Sequence, residues 1–569
     1  MIRILQAFFY PVFSAFLLAV GIPNEVFLFG CPIAGLISLV PLYIALYKSK
    51  SFKNAGLCGA IHFCAVHIFS SFWLANFGDY AIFTLGASAL AYFVAGFVFG
   101  QILYIPFYFS NKSGNCLREA AGRAPFASVL RILLFTSVWT FHEWFKSIGF
   151  LAYPWGTLIM SAYEWKILTQ IVSLTGTWGI SFLFSMFSAV CGEGIYLLSR
   201  YSRGTGAFSI PYTKSYAYTA AACIMLFCCS VCYGFYEINK DRQPIKNMET
   251  ILVQHNQNSW DTDTSQSAVI AMNLTHQALA DEKEKPDSKD ADLVVWSESI
   301  LLLAMPDTYE WLEYFPDRMP LLPSIRKAGV PFLIGVPFTE GINIYSNSSV
   351  LFNPDGTIAE HYGKTQLVPF AEYIPYSDRE WMQSFMQKVA GFSSGWMPGN
   401  KYVVYKIPVQ DGGEVSFTTP ICFEDAFPEV CRKLFLAGSE VFVNITNDSW
   451  SQTKSAEYQH FVISSYRAQE YRTTLVRCTN SGFTSVVGPT GQITCSLPLF
   501  VRDAIQTTVP IYEREITPYA FLGDWIPLLV SLFVVFTYSF MLIASAWKEK
   551  HQRLKFYLGK NFSIFFRFF

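Results

Sequence analysis

A thiol placed where a strand gives way to a turn is the side chain in this 569-residue sequence best suited to covalent chemistry. Cys422 stands there. The apolar, β-prone run Val415-Ser-Phe-Thr-Thr-Pro-Ile421 leads into it, and Glu424 and Asp425 follow at once. A thiol attacks an acyl carbon only as the thiolate, so Cys422 needs a base and a nearby positive charge. Two residues in comparable places supply them. Glu298 follows the apolar run ending at Trp296, and Lys364 follows a hairpin signal ending at Tyr362. Glu298 can take the proton, and Lys364 can hold the thiolate and then the oxyanion of a tetrahedral intermediate. Each also has an ordinary reading, because a lone cysteine is most often packing and a Glu or Lys past a strand is most often solvated. The thirteen cysteines show no metal-type spacing, and Cys228, Cys229 and Cys232 lie in an apolar run as small lipid-facing or packing residues. No cofactor or metal is expected.

The elements that must position these residues alternate between strand and helix signals. Thr250–Gln254, Ala291–Trp296, Pro331–Val336 and Val441–Thr446 read as buried strands, with a polar-faced helix over 261–285. Ser348–Phe352 and Thr357–Tyr362 read as a hairpin turning at Asp355-Gly356. A helix of mixed polar and apolar residues is expected over Tyr458–Thr474, followed by strands at Leu475–Thr479 and Thr484–Val487. Buried strands, hairpins and covering helices fit a layered α/β sandwich, whose strand ends form ligand crevices.

Around this region the composition is that of a membrane protein. Only 15% of residues are charged and 52% are hydrophobic, against about 25% charged in soluble domains. A net charge of −1 gives no ground for nucleic-acid binding. Apolar stretches long enough to cross a bilayer fall at 4–22, 26–47, 55–75, 81–108, 127–147, 179–198, 216–236 and 525–546. Every second connection is basic: Lys48, Lys50 and Lys53; then Lys112, Arg118, Arg123 and Arg131; then Arg200, Arg203 and Lys214; and finally the tail from Lys548. The positive-inside rule places these in the cytoplasm with both termini, and places 237–522 on the outer side. The aromatic loop 148–178, with Tyr153, Trp155 and Trp178, shares that outer side. It reads either as an interfacial belt or as a surface through which the outer domain meets lipid.

Trp296-Ser-Glu298, Tyr362-Gly-Lys364 and Ile421-Cys-Phe-Glu424 resemble the motifs of the nitrilase, or carbon-nitrogen hydrolase, superfamily. That superfamily carries a Glu-Lys-Cys triad on an αββα sandwich. Longer phrases resemble one family within it, the apolipoprotein N-acyltransferases. They include Leu367-Val-Pro-Phe-Ala-Glu372, Asn447-Asp-Ser-Trp450, Tyr458-Gln-His460, Arg477-Cys-Thr-Asn480 and, in the membrane part, Glu143-Trp144 and Tyr153-Pro-Trp155. The resemblance implies a multi-span α-helical membrane domain of eight spans with an inserted nitrilase-like αββα sandwich. The divisions are then 1–236 for seven spans, 237–522 for the catalytic domain, and 523–569 for the eighth span and a basic tail.

The resemblance further implies transfer of an acyl chain from a membrane phospholipid, commonly phosphatidylethanolamine, through a thioester on Cys422. The acceptor is the α-amine of the diacylglyceryl-cysteine that begins an apolipoprotein. The implied place is a bacterial inner membrane, as a monomer, with catalysis on the periplasmic side. Glu298 is then the base and later proton donor, and Lys364 the oxyanion stabiliser. Glu372 is a second carboxylate holding Lys364 or the thiol, and Glu424 supports the site. Phe423 departs from the family, where Tyr is common, so only its backbone N–H is left to serve the oxyanion. Trp260 is matched to a functional tryptophan at a shorter spacing. The segment 376–398, with Trp381, Phe385, Phe392 and Trp396, is expected to be a mobile flap that touches lipid. Two other readings stand beside this one. A membrane-tethered amidase would use the same triad with water as acceptor. A transporter or receptor would only bind ligand, but scarce charge in the spans argues against transport, Glu143 and Glu193 being exceptions expected near span ends.

Overall fold

A computed structural model describes residues 2–111, 127–202, 210–258, 264–374, 376, 379–390 and 395–565. Trp260, Phe392, Lys112, Arg118, Arg123 and Arg203 lie outside these residues. The chain between the last two long membrane helices folds into twelve strands. They are β1 (Lys246–Gln254), β2 (Leu293–Trp296), β3 (Phe332–Gly341), β4 (Ile344–Phe352), β5 (Ile358–Gly363), β6 (Tyr405–Pro408), β7 (Glu414–Thr418), β8 (Val441–Thr446), β9 (Thr474–Thr479), β10 (Ser485–Val487), β11 (Ile493–Ser496) and β12 (Asp503–Ile511).

They form two six-stranded sheets, ordered β12-β1-β2-β3-β4-β5 and β6-β7-β8-β9-β10-β11. Both follow one pattern. An antiparallel edge strand is followed by three parallel strands and then an antiparallel pair. Alternation along each strand assigns the faces. Leu252, Leu293 and Val295 point between the sheets, in a core shared with Phe417, Val443 and Val476. Ile251, Val253, Val294 and Trp296 point outward against the helices Thr264–Lys283 and Leu321–Ala328. The second sheet is covered by Pro428–Leu436 and Lys454–Tyr471, where Phe435, Phe442 and Tyr471 stack together. The layers are those of an αββα sandwich.

The helix expected over 458–474 runs from Lys454 to Tyr471, with Thr453 capping it and Arg472 ending it in the left-handed region at φ 51°. Nearly every residue on it is buried, polar ones included. One face meets the second sheet. The other meets the membrane body, where the Tyr466 hydroxyl donates to the Ile159 carbonyl at 2.6 Å and Gln459 Nε2 donates to the carbonyls of Pro23 and Ser70, each at 2.9 Å.

Among the described residues, four helices are long and apolar enough to span by length and composition: Ile82–Phe109, Trp178–Ser199, Thr213–Asn239 and Trp525–Ala544. The expected second span starts late, because Asn24 folds 22–27 into a turn and Pro32 opens the first helix, and it is broken into Pro32–Ile37 and Val40–Lys48, with Pro41 in the first turn of the second helix. The helices Phe52–Ser70 and Ala127–Phe145 carry His62, His67, Arg131, His142 and Glu143, all buried within the bundle. His62, His67, Arg131 and Glu143 find interior partners, and polar residues such as these lower the mean hydropathy of the two helices below that of a lipid-facing span. Arg131 is therefore not a loop charge. It pairs with Glu193, which also accepts from the Tyr43 hydroxyl at 2.6 Å. Glu143 lies near the end of its helix and accepts from Trp139, Ser181 and the Leu158 N–H. The loop 148–178 divides between its two readings. Trp155, Tyr163 and Trp178 are buried against the αββα sandwich or the bundle, while Phe150 and Leu151 stay exposed.

Candidate active site

Cys422 is the first residue of a 3₁₀ turn, Cys422–Ala426, and takes φ 49°. A non-glycine residue in the left-handed region costs about 1–3 kcal/mol and persists only where its surroundings fix it. Two contacts from β8 fix the approach: Ile421 bridges Ile445, and Asn444 Nδ2 donates to the Pro420 carbonyl at 2.9 Å. Glu424 fixes the turn itself. Its Oε2 accepts the Ile421 N–H at 2.8 Å, while its Oε1 accepts the Thr365 N–H at 2.7 Å, the Gln366 N–H at 3.0 Å and the Thr365 hydroxyl at 2.7 Å. The Tyr362 hydroxyl reaches both oxygens. Glu424 thus joins the turn bearing Cys422 to the segment carrying Lys364.

Glu298 lies two residues beyond the end of β2, after Ser297. A Cβ on Gly335 of β3 would strike the Ser297–Ser299 backbone, so glycine there lets that turn rest on the neighbouring strand. Lys364 follows β5 and is buried. Its Nζ donates to Glu298 Oε1 at 3.0 Å and to Glu372 Oε1 at 2.9 Å. Asn347 of β4 donates to the same two oxygens, each at 2.8 Å. The second oxygens are held by backbone: Asn447 N–H meets Glu298 Oε2 at 3.0 Å, and Val368 N–H meets Glu372 Oε2 at 2.7 Å. Burial pulls Lys364 down, but Glu298, Glu372 and Cys422 outweigh it and hold the ammonium well above its ordinary range. Burial, with Glu298 next, pushes the Cys422 thiol well up, and Lys364 offsets only part. At rest the site holds an ammonium cation, two hydrogen-bonded carboxyl groups and a protonated thiol.

Beneath the Cys422 turn lies a second polar group. His460 Nδ1 is 2.8 and 2.9 Å from the oxygens of Asp448, and its Nε2 is 2.9 Å from Asp425 Oδ1. Arg477 of β9 pairs with Asp425 and lies 3.8 Å from Asp448. Above the turn, Trp155 from the membrane body stacks on Phe423 with centroids 5.4 Å apart and planes 9° apart, and also packs on His460 at 5.7 Å.

The structure brings Glu298, Lys364 and Glu372 into direct contact and sets Cys422 within their electrostatic reach. Glu424 stands one step away, clamping the two loops, and the Phe423 amide lies in the first turn of the 3₁₀ helix, ahead of its first bond from Glu424 N–H to Ile421 O. Sequence reasoning gave no role to Asn347, Asp448, His460 or Trp155. The phrases Asn447-Asp-Ser-Trp450, Tyr458-Gln-His460 and Tyr153-Pro-Trp155 were the available signal for three of them, and Asn347 had none. The flap segment is partly regular: Glu380–Ala390 is a helix, with Met386 buried and Trp381 and Phe385 63% and 51% exposed. The arrangement can deprotonate a thiol, stabilise an oxyanion and hold an acyl group as a thioester.

Two family models match the chain. One, described as the apolipoprotein N-acyltransferase N-terminal domain, covers residues 14–190, and the other, carbon-nitrogen hydrolase, covers 252–517. Among curated proteins, apolipoprotein N-acyltransferase 2 of Treponema denticola is 41% identical over 94% of this chain and 97% of its own length. The protein of the same name from Treponema pallidum is 38% identical over 91% of this chain and 92% of its own. Apolipoprotein N-acyltransferase of Borreliella burgdorferi is 29% identical over 96% and 98%.

Proposed function

The chain belongs to the apolipoprotein N-acyltransferase family, and from that premise we propose that Cys422 carries the acyl group as a thioester between a membrane phospholipid and an apolipoprotein amine. Glu298 takes the Cys422 proton, and the thiolate attacks the ester carbonyl of the lipid. Lys364 and the Phe423 N–H hold the oxyanion. The C–O bond breaks, Glu298 returns its proton to the departing alkoxide, and a lysophospholipid leaves. The α-amine of a diacylglyceryl-cysteine then attacks the thioester. Glu298 takes the amine proton, the C–S bond breaks, and the Cys422 thiolate is reprotonated as the amide leaves.

The observation that carries this reading is the stack of Trp155 on Phe423. A residue of the membrane body forms a wall beside the nucleophile, which suits a donor arriving from lipid better than a small water-soluble amide. Such a wall also keeps water from the thioester. The exposed Trp381 and Phe385 support a lipid-touching flap. The finer parts of the proposal are eight spans, a catalytic domain over 237–522 on the periplasmic face of a bacterial inner membrane, cytoplasmic termini, phosphatidylethanolamine as donor, and a monomer.

Mass spectrometry after incubation with phosphatidylethanolamine alone tests the reading. A fatty-acyl mass on the Cys422 peptide, absent from Cys422→Ser, is expected, and it should vanish when a diacylglyceryl-cysteine peptide is added. Steady release of free fatty acid, with no adduct and no acylated peptide, would point to the hydrolase instead.

A further inference from the structure

His460 is buried on the helix that lies between the second sheet and the membrane body, and each of its ring nitrogens faces a carboxylate. A neutral imidazole carries one N–H, so one of these contacts would set a lone pair against an anion. Only the imidazolium donates to both. Burial pulls the ring down, yet Asp448 and Asp425 outweigh it and hold it at about 9.

The two carboxylates are not equivalent in place. Asp425 lies in the nucleophile turn, three residues after Cys422. Asp448 directly follows Asn447, whose N–H holds Glu298. One ring therefore ties the turn bearing the nucleophile to the loop holding the base. The charges balance as well. Asp425 and Asp448 face His460 and Arg477, and Arg477 is fixed in turn by the Ser464 hydroxyl at 2.6 Å. Glu457, on the same helix, also faces Asp448; burial and Asp448 push it well up, so it adds no charge. Lys364 acts on Asp448 from the catalytic side, and Trp155 covers the ring from the membrane side. Asp448 opposes ionisation of Cys422. Without the charge on His460 the group would carry a net negative charge next to the thiol.

We propose that His460, as an imidazolium, is a positioning residue for acyl transfer: it locks the nucleophile turn to the loop that holds Glu298 and cancels the Asp448 charge that opposes the Cys422 thiolate. The proposal rests on Cys422 as the nucleophile, not on the acyl donor, so it is read by alkylation rather than by transfer. The rate at which iodoacetamide modifies Cys422 is measured against pH in the full-length protein, with Cys422→Ser as the blank. His460→Gln is expected to shift the curve upward by about one pH unit, or about tenfold in rate at neutral pH. His460→Gln with Asp448→Asn removes both charges and should bring the curve back toward wild type. A merely structural histidine would leave the double variant at least as slow as the single one, and that result overturns the proposal. Should His460→Gln not fold, Asp448→Asn alone decides. It is expected to lower the pH at which Cys422 reacts, and an unshifted curve refutes the charge argument. An acyl adduct that never forms, beside an alkylation curve that shifts as described, would sink the thioester reading and leave this one standing.

Discussion

Replacing Asn347 tests the geometry of the site most directly, because this residue does no chemistry and yet touches both carboxylates. Its Nδ2 reaches Glu298 Oε1 and Glu372 Oε1, each at 2.8 Å, from a buried position on β4. Asn347→Leu keeps the volume and removes both donors. A hydrogen bond to a charged group contributes about 1.5–3 kcal/mol, so the ceiling is about 3–6 kcal/mol for the pair. Lys364 still bridges the same two oxygens and recentres, which recovers part of that. We expect a stability loss of about 3 kcal/mol, near the low end of that range. Glu298 is then held by Lys364 and the Asn447 N–H alone. A displacement of the base by about 1 Å slows thioester formation by about 100-fold. Asn347→Asp is worse in a diagnostic way. It sets a third carboxylate against two others with one ammonium between them, so it should be slower than Asn347→Leu at neutral pH and recover as pH falls and the new carboxyl protonates. The assay is the rate of acyl adduct formation on Cys422 by quenched mass spectrometry, with thermal unfolding alongside. Rates within threefold of wild type for both variants, or Asn347→Asp faster than Asn347→Leu at neutral pH, would refute the reasoning.

Every partner of Glu424 donates to it, so Glu424→Gln turns an NH₂ toward a buried donor at a cost of about 1–3 kcal/mol. The clamp between the two loops should open and adduct formation should slow at least tenfold; an unchanged rate would remove Glu424 from the positioning frame. Asp524 accepts from Trp144, Trp178 and Tyr519 at 2.8, 2.8 and 2.9 Å. Asp524→Asn should lower the unfolding temperature yet leave Cys422 alkylation below that temperature within threefold, and a large loss of alkylation without a thermal shift would contradict this. Burial, with Glu298, holds the Cys422 thiol above its ordinary value of 9.0. The unfolded chain therefore releases that proton first, so the stability it contributes is full below about pH 9 and falls as pH rises past it. The difference in unfolding free energy between wild type and Cys422→Ser should shrink over that window, and a constant difference would show that the thiol is not perturbed.

The strands nearest the chemistry were legible because they are short apolar runs closed by turns. The strand expected at Ala291–Trp296 is Leu293–Trp296, the helix expected at 261–285 is Thr264–Lys283, and the hairpin around Asp355-Gly356 is β4 and β5. β6, β11 and β12 gave no such signal, as β11 and much of β12 are exposed or half-buried. Glu298, Lys364 and Cys422 could be singled out because each follows a strand end. Asn347 could not, since a polar residue in an alternating strand reads as solvent-facing, and its partners lie far off in sequence. His460 was hidden for a related reason. Hydrophobic periodicity marks a helix buried on one side, and this one is buried on both, with polar partners on each. The spans were read from length and apolarity, which locate helices well but do not anticipate a pair such as Arg131 and Glu193 inside the bundle.

That doubly buried helix bears on how the molecule comes apart. A segment whose two sides belong to different layers has no free surface at which to fray, so its amides should exchange with solvent only when both layers open together. The αββα sandwich and the membrane body then share one cooperative unit through Lys454–Tyr471. Cutting the sandwich away from its membrane anchor would not yield a small soluble enzyme. It would uncover Gln459, Tyr466 and their neighbours without the carbonyls that satisfy them.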